Sequence, residues 1–135
     1  MPRDYYCKGY WMLKATKSHY QYFCKQVNHW IRVFGLLEWR IFFEYSEEYS
    51  GDILAECSWD YEAKTALFRF YSDWTQATLD NDHIDEIAFH EVCELLLNRV
   101  NDLLTPYYSD RVSTAELHHI IHILSNVILP QNKKD

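Results

Sequence analysis

The chain has 135 residues and a mass of 16.3 kDa, a length that points to one domain over 1–135 with a single core. Twenty Asp and Glu against thirteen Lys and Arg give a formal charge of −7, which disfavours direct binding to nucleic-acid phosphates and to anionic membrane. Only three Gly and three Pro are present while aromatic residues reach 17%, so disordered and collagen-like classes are excluded.

Residues 1–16 form an aromatic N-terminal segment in which Tyr5, Tyr6, Tyr10 and Trp11 alternate with polar residues. Together with Tyr20 and Tyr22 they exceed what one helix face can bury. Tyr and Trp are enriched at interface hot spots, so this segment is the expected footprint of a protein partner. It contains no apolar run of signal-peptide length, and nothing in the chain reaches the 18 apolar residues of a membrane span. Cys7, Cys24, Cys57 and Cys93 are scattered without a C-x-x-C pair. Reduced thiols and a cytoplasmic location, in whichever cell hosts the gene, are the expectation.

Residues 17–34 place Tyr20, Phe23, Val27, Trp30, Ile31 and Phe34 at spacings of three and four, which predicts a helix with one apolar stripe. Ser18 is its predicted N-cap, and Gly35 sits where a left-handed residue would end it. Residues 37–74 read as a sheet of three strands: 39–45, 53–59 and 65–71. Their short connections predict an antiparallel meander.

Residues 82–129 read as helical. Asp82 is the predicted cap of a helix reaching Leu104, with Phe89, Val92, Cys93, Leu96, Val100 and Leu103 as its buried stripe. Pro106 interrupts, and Ser113 or Thr114 opens a last helix that stops at Pro130. Its predicted buried face is Leu117, Ile120, Ile121, Leu124, Val127 and Ile128. The fold class is α+β: an N-terminal helix, the meander, and a C-terminal pair of helices.

The chemistry concentrates in those last helices. His90 and Glu94 lie four residues apart, on one flank of the buried stripe. His118 borders the buried face of the last helix, and His122 follows one turn later. If these flanks meet, His90, Glu94 and His118 converge with His122 as a further candidate, and two or three imidazoles plus a carboxylate make a metal site whose nitrogen-rich ligands favour one Zn2+ over magnesium or calcium. The plainer alternative is that Glu94 pairs with Arg99 and the histidines are polar-face residues. Cys93 falls in the buried stripe and reads as a packed thiol. His19, His29 and His83 have no partner at metal spacing.

The register WRIFFEY, AECSWDYEAKTALFRFYSDW, IDEIAFHEVCELLL and ELHHIIHILSNVI resembles the small zincin-like metallopeptidase-like proteins of phages and mobile elements, over residues 27–129. Those proteins carry W-x-I in a strand, Trp-Asp between strands, a Trp after the sheet, then H-E-x-x-H-L-L and a third ligand in a closing helix. Trp39, Trp59 and Trp74 follow that pattern. The resemblance implies zinc, with His90 as first ligand and Glu91 as the base that activates water. This chain departs from the family in reading H-E-x-x-E, with His118 near the third-ligand position where the family commonly has Glu.

Carboxylate and imidazole have exchanged helices. Zinc binding tolerates such an exchange better than hydrolysis does. The expected function is therefore a zinc-binding protein with a degenerate motif that binds and inhibits a protein partner bearing a basic surface. One concrete form is inhibition of a host defence nuclease, as by anti-CRISPR proteins. The alternative is an active zinc metallopeptidase with Glu91 as general base.

Overall fold

The computed structural model describes residues 13–48, 51–75 and 77–129, and the four aromatics Tyr5, Tyr6, Tyr10 and Trp11 lie outside them. Helix α1 runs Lys17–Val33. Its N-cap is Thr16, two residues before the predicted Ser18, because His19 completes a reciprocal cap. The His19 backbone N–H donates to Thr16 Oγ1, and the Thr16 backbone N–H donates to His19 Nδ1 at 3.0 Å. The predicted stripe is the buried one, with Phe23, Val27, Trp30 and Ile31 turned inward. Gly35 adopts φ 69°, and the Leu36 N–H reaches back to the Ile31 carbonyl at 3.0 Å, the bond that closes a helix through a left-handed residue.

Strands β1 (Arg40–Ser46), β2 (Ala55–Asp60) and β3 (Thr65–Tyr71) form one sheet. Its order is β1-β3-β2, with β3 parallel to β1 and antiparallel to β2. The sheet is therefore mixed, which corrects the predicted antiparallel meander. Only the β2–β3 hairpin is as expected; β3 inserts between its two predecessors. The physical reason is burial. Ala66, Phe68 and Phe70 of β3 are almost fully covered, whereas β1 has no buried residue and β2 only Ala55. The most apolar strand takes the centre, where neighbours satisfy its backbone on both sides. On the opposite face Arg69 stands in register between Glu44 of β1 and Glu56 of β2 and donates to both carboxylates.

Helix α2 (Asn81–Leu96) is capped by Asp80, whose carboxylate accepts the His83 N–H at 2.8 Å, rather than by Asp82. It packs on α1 and on β2. Trp30 meets Phe89 edge to face at 4.9 Å, and Phe23 meets Phe70 at 5.0 Å, so aromatic rings form much of the core between sheet and helices. Asp85 crosses from α2 to accept the indole N–H of Trp30 and the amide of Gln26 at 2.9 and 2.8 Å.

The helix does not continue to Leu104. It breaks at Leu97 (φ −94°, ψ 3°) and resumes as α3, Asn98–Leu104. Asn98 turns inward at the break and donates to the Leu95 carbonyl. Val100 and Leu103, predicted to be buried, are exposed. Helix α4 (Asp110–Ile128) begins earlier than predicted, with Ser109 as cap. Ser113 is instead buried within its first turn, its hydroxyl donating to the Ser109 carbonyl. Leu117 and Ile121 are buried as predicted, but Ile120 and Val127 are exposed.

Candidate metal centre

Helix α2 carries the buried ridge Ile84, Ala88, Val92 and Leu95 against the sheet and α1. The side chains one step around the helix, His90 and Glu94, reach its uncovered flank. Helix α4 packs beside α2 and brings His118 to the same place. One ligand atom from each of His90, Glu94 and His118 lies within 4.8 Å of the others.

The Glu94 carboxylate straddles the two rings, with Oε1 3.3 Å from His118 Nε2 and Oε2 3.9 Å from His90 Nε2. The two imidazoles stand 5.2 Å apart, centroid to centroid. A tetrahedral ion with bonds of about 2.0–2.2 Å holds its ligand atoms roughly 3.3–3.6 Å apart. The trio thus needs only a small contraction to hold one metal ion. Burial pushes the His90 imidazole below its ordinary value against the opposing pull of Glu94, which keeps it in the neutral form a metal ligand requires.

His90 and His118 open onto a cleft of 520 Å³ between the start of β2, α2 and α4. His90, Glu91, His118 and His122 all line it. Between the two candidate histidines of α4, His118 belongs to the close set and His122 does not; His122 faces the cleft one turn away. Glu91 occupies the buried ridge of α2 and is only 7% exposed. Burial is the main force that pushes its carboxyl up to about 10, followed by the charge of Glu94 and a hydrogen bond to it, while the Cys57 backbone N–H pulls it down. A carboxyl in an otherwise apolar ridge is costly to bury, and such groups concentrate at functional sites.

Cys93, about 200° around α2 from Glu91, is fully buried with its thiol pushed up to about 12, as a packed thiol should be. Burial likewise raises Cys57. His83 and Glu86 also line the cleft, although spacing to other histidines assigned His83 no role. The usable signal was the flank itself: positions 83, 86, 90 and 94 recur at three and four residues along one side of α2. His83 is anchored there by the Thr78 carbonyl, 2.6 Å from Nδ1, and by the Trp74 ring. No helix among the described residues is long and apolar enough to cross a membrane.

The chain matches no family model, no curated protein and no solved structure.

Proposed function

We propose that the chain is a zinc-binding, zincin-like protein of phage or mobile-element type that acts by engaging and inhibiting a protein partner with a basic surface. The observation that carries this reading is the His90–Glu94–His118 trio, two members of which line the cleft. Two nitrogens and one carboxylate oxygen suit zinc better than calcium or magnesium, which prefer all-oxygen sets. Zinc bound there would clip α4 to α2 and act as a Lewis acid on a water in its open position.

Charge supports the choice of partner. Fifteen of the twenty acidic residues fall between 35 and 97, against three Lys and Arg. That stretch offers the negative density that a nucleic-acid-binding groove recognises, so a defence nuclease is the partner class proposed. The cytoplasm of the host cell is the proposed location.

Glu91 favours the second reading, an active metallopeptidase. Glu91 lines the same cleft as His90 and His118, and a metal cation beside it would favour the ionised carboxylate that general-base chemistry needs. The two readings share the metal and differ in Glu91. Purified protein is expected to carry one zinc per chain, to lose it in the His118→Ala variant, and to melt at lower temperature in chelator. Zinc-free protein whose melting ignores chelator sinks both readings. Glu91→Gln then separates them: an inhibitory effect that survives with zinc retained supports the binder, and its loss with zinc retained supports the peptidase.

A further inference from the structure

The sequence gives α4 a wider apolar surface than the rest of the chain covers. Successive helical residues advance by about 100°. Leu117, Ile121, Leu124 and Ile128 occupy the arc that packs inward. Val112, Ile120, Ile123 and Val127 occupy the adjoining arc of roughly 80°, and they are 49, 40, 48 and 58% exposed. Their stripe runs about 22 Å along the helix. His118 and His122 project from the other side of the inward arc and face the cleft. Of thirteen large hydrophobic side chains exposed among the described residues, eight lie between 98 and 129, so the apolar surface is concentrated there rather than scattered.

We infer that this stripe is the contact surface of a homodimer, with α4 packed antiparallel against α4 of a second copy. Two features select a second copy as the occupant. The stripe is self-complementary about Ile120: Val112 and Val127 lie eight and seven residues to either side, so an antiparallel two-fold pairing sets Val112 of each copy against Val127 of the other, with the Ile120 side chains meeting at the axis. Finally, residues 98–129 carry a net charge of only −1 against −12 over 35–97; this is the face on which two chains of charge −7 approach with least repulsion. The stripe offers on the order of 300 Å² per copy and roughly twice that with Val100, Leu103, Tyr107 and Tyr108, approaching the ~800 Å² per partner of stable interfaces.

This inference is independent of metal binding, and its test is run on the full chain both in chelator and with zinc. Sedimentation velocity at about 100 µM, where micromolar association saturates, is expected to report twice the 16.3 kDa mass in both conditions. The double variant Ile120→Glu/Ile123→Glu is expected to weaken dimerisation by roughly a hundredfold or more, with its circular-dichroism spectrum and zinc content unchanged. Val33→Glu, exposed on α1, leaves it intact.

Orientation is read by oxidation. Val112→Cys mixed with Val127→Cys gives a crosslinked dimer that Val112→Cys alone does not. Ile120→Ser replaces the double variant if that chain fails to fold. A wild-type chain that stays monomeric overturns the inference, as does a dimer that tolerates the α4 substitutions. A dimer seen only with zinc transfers the contact to the metal and overturns it equally.

Discussion

Helices α2 and α4 both line the cleft, yet the chain holds them in opposite ways. α2 buries seven of its sixteen residues between α1 and the sheet, including Phe89, Val92 and Leu95 at zero exposure. α4 buries three of nineteen: Ser113, Leu117 and Ile121. The difference shows how the ligand trio is assembled, with two ligands on a rigid helix and one on a helix held by a thin apolar seam. An ion bridging them would spend its binding energy on docking α4 rather than on stabilising the core.

The largest expected effect tests that contrast directly. Phe89→Ala removes a ring packed on Trp30 and Phe34 and is expected to cost about 3–5 kcal/mol of global stability. Leu117→Ala in α4 is expected to cost only ~2 kcal/mol, with faster amide exchange confined to residues after 109. Equal losses in chemical denaturation, or exchange that accelerates throughout, would erase the distinction between the two helices.

The next effect is in pH. Glu91 holds its proton in the folded chain far above its ordinary value of 4.5. The unfolded chain releases that proton first, so the stability it confers is complete below about pH 4.5 and declines as pH rises towards 10. Metal-free protein should therefore lose on the order of a few kcal/mol across that window. Glu91→Gln should flatten the melting profile between pH 6 and pH 9, a window in which the wild-type carboxyl keeps a proton that the unfolded chain has released. A slope that survives the substitution assigns the titration to another group.

The smallest effect belongs to the sheet's open face. Arg69 and its two carboxylates are a third to a half exposed, and exposed ion pairs contribute little. Arg69→Gln should cost less than ~1 kcal/mol and leave zinc content unchanged. A larger loss in urea melts would mean that the charge ladder, rather than the burial of β3, sets the strand order.

What the sequence made legible was local. The stripe of α1 follows from 3.6-residue spacing, and the β2–β3 hairpin follows from a four-residue connection closed by Asp60, which accepts the Ala63 N–H at 3.1 Å. The pairing of His90 with Glu94 needs only one helical turn, and His118 was placed by its flank. The misreadings were non-local. Pairing of β1 with β3 joins residues 25 apart, and nothing in WRIFFEY distinguishes a parallel partner from an antiparallel one. The clue was the complementary charge at Glu44, Arg69 and Glu56, which fits one strand order only. The break at Leu97 has no Gly or Pro to announce it, because an inward-facing Asn98 sits there instead. For α4, apolar spacing predicts which side avoids water but not whether the same chain supplies the cover.

The strand order also dictates when the sheet can exist. β3 is last in the chain but central in space, so as the polypeptide leaves the ribosome neither β1 nor β2 has its hydrogen-bonding neighbour until residue 71 has emerged. Ile41, Phe42 and Phe43 must wait through that interval without a strand to pair with, a period in which unpaired edges invite aggregation. The hairpin closes first because its connection is shortest, and β1 joins a template already formed. Synthesis rate and chaperone supply should therefore influence the yield of this protein through β1 more than through any helix.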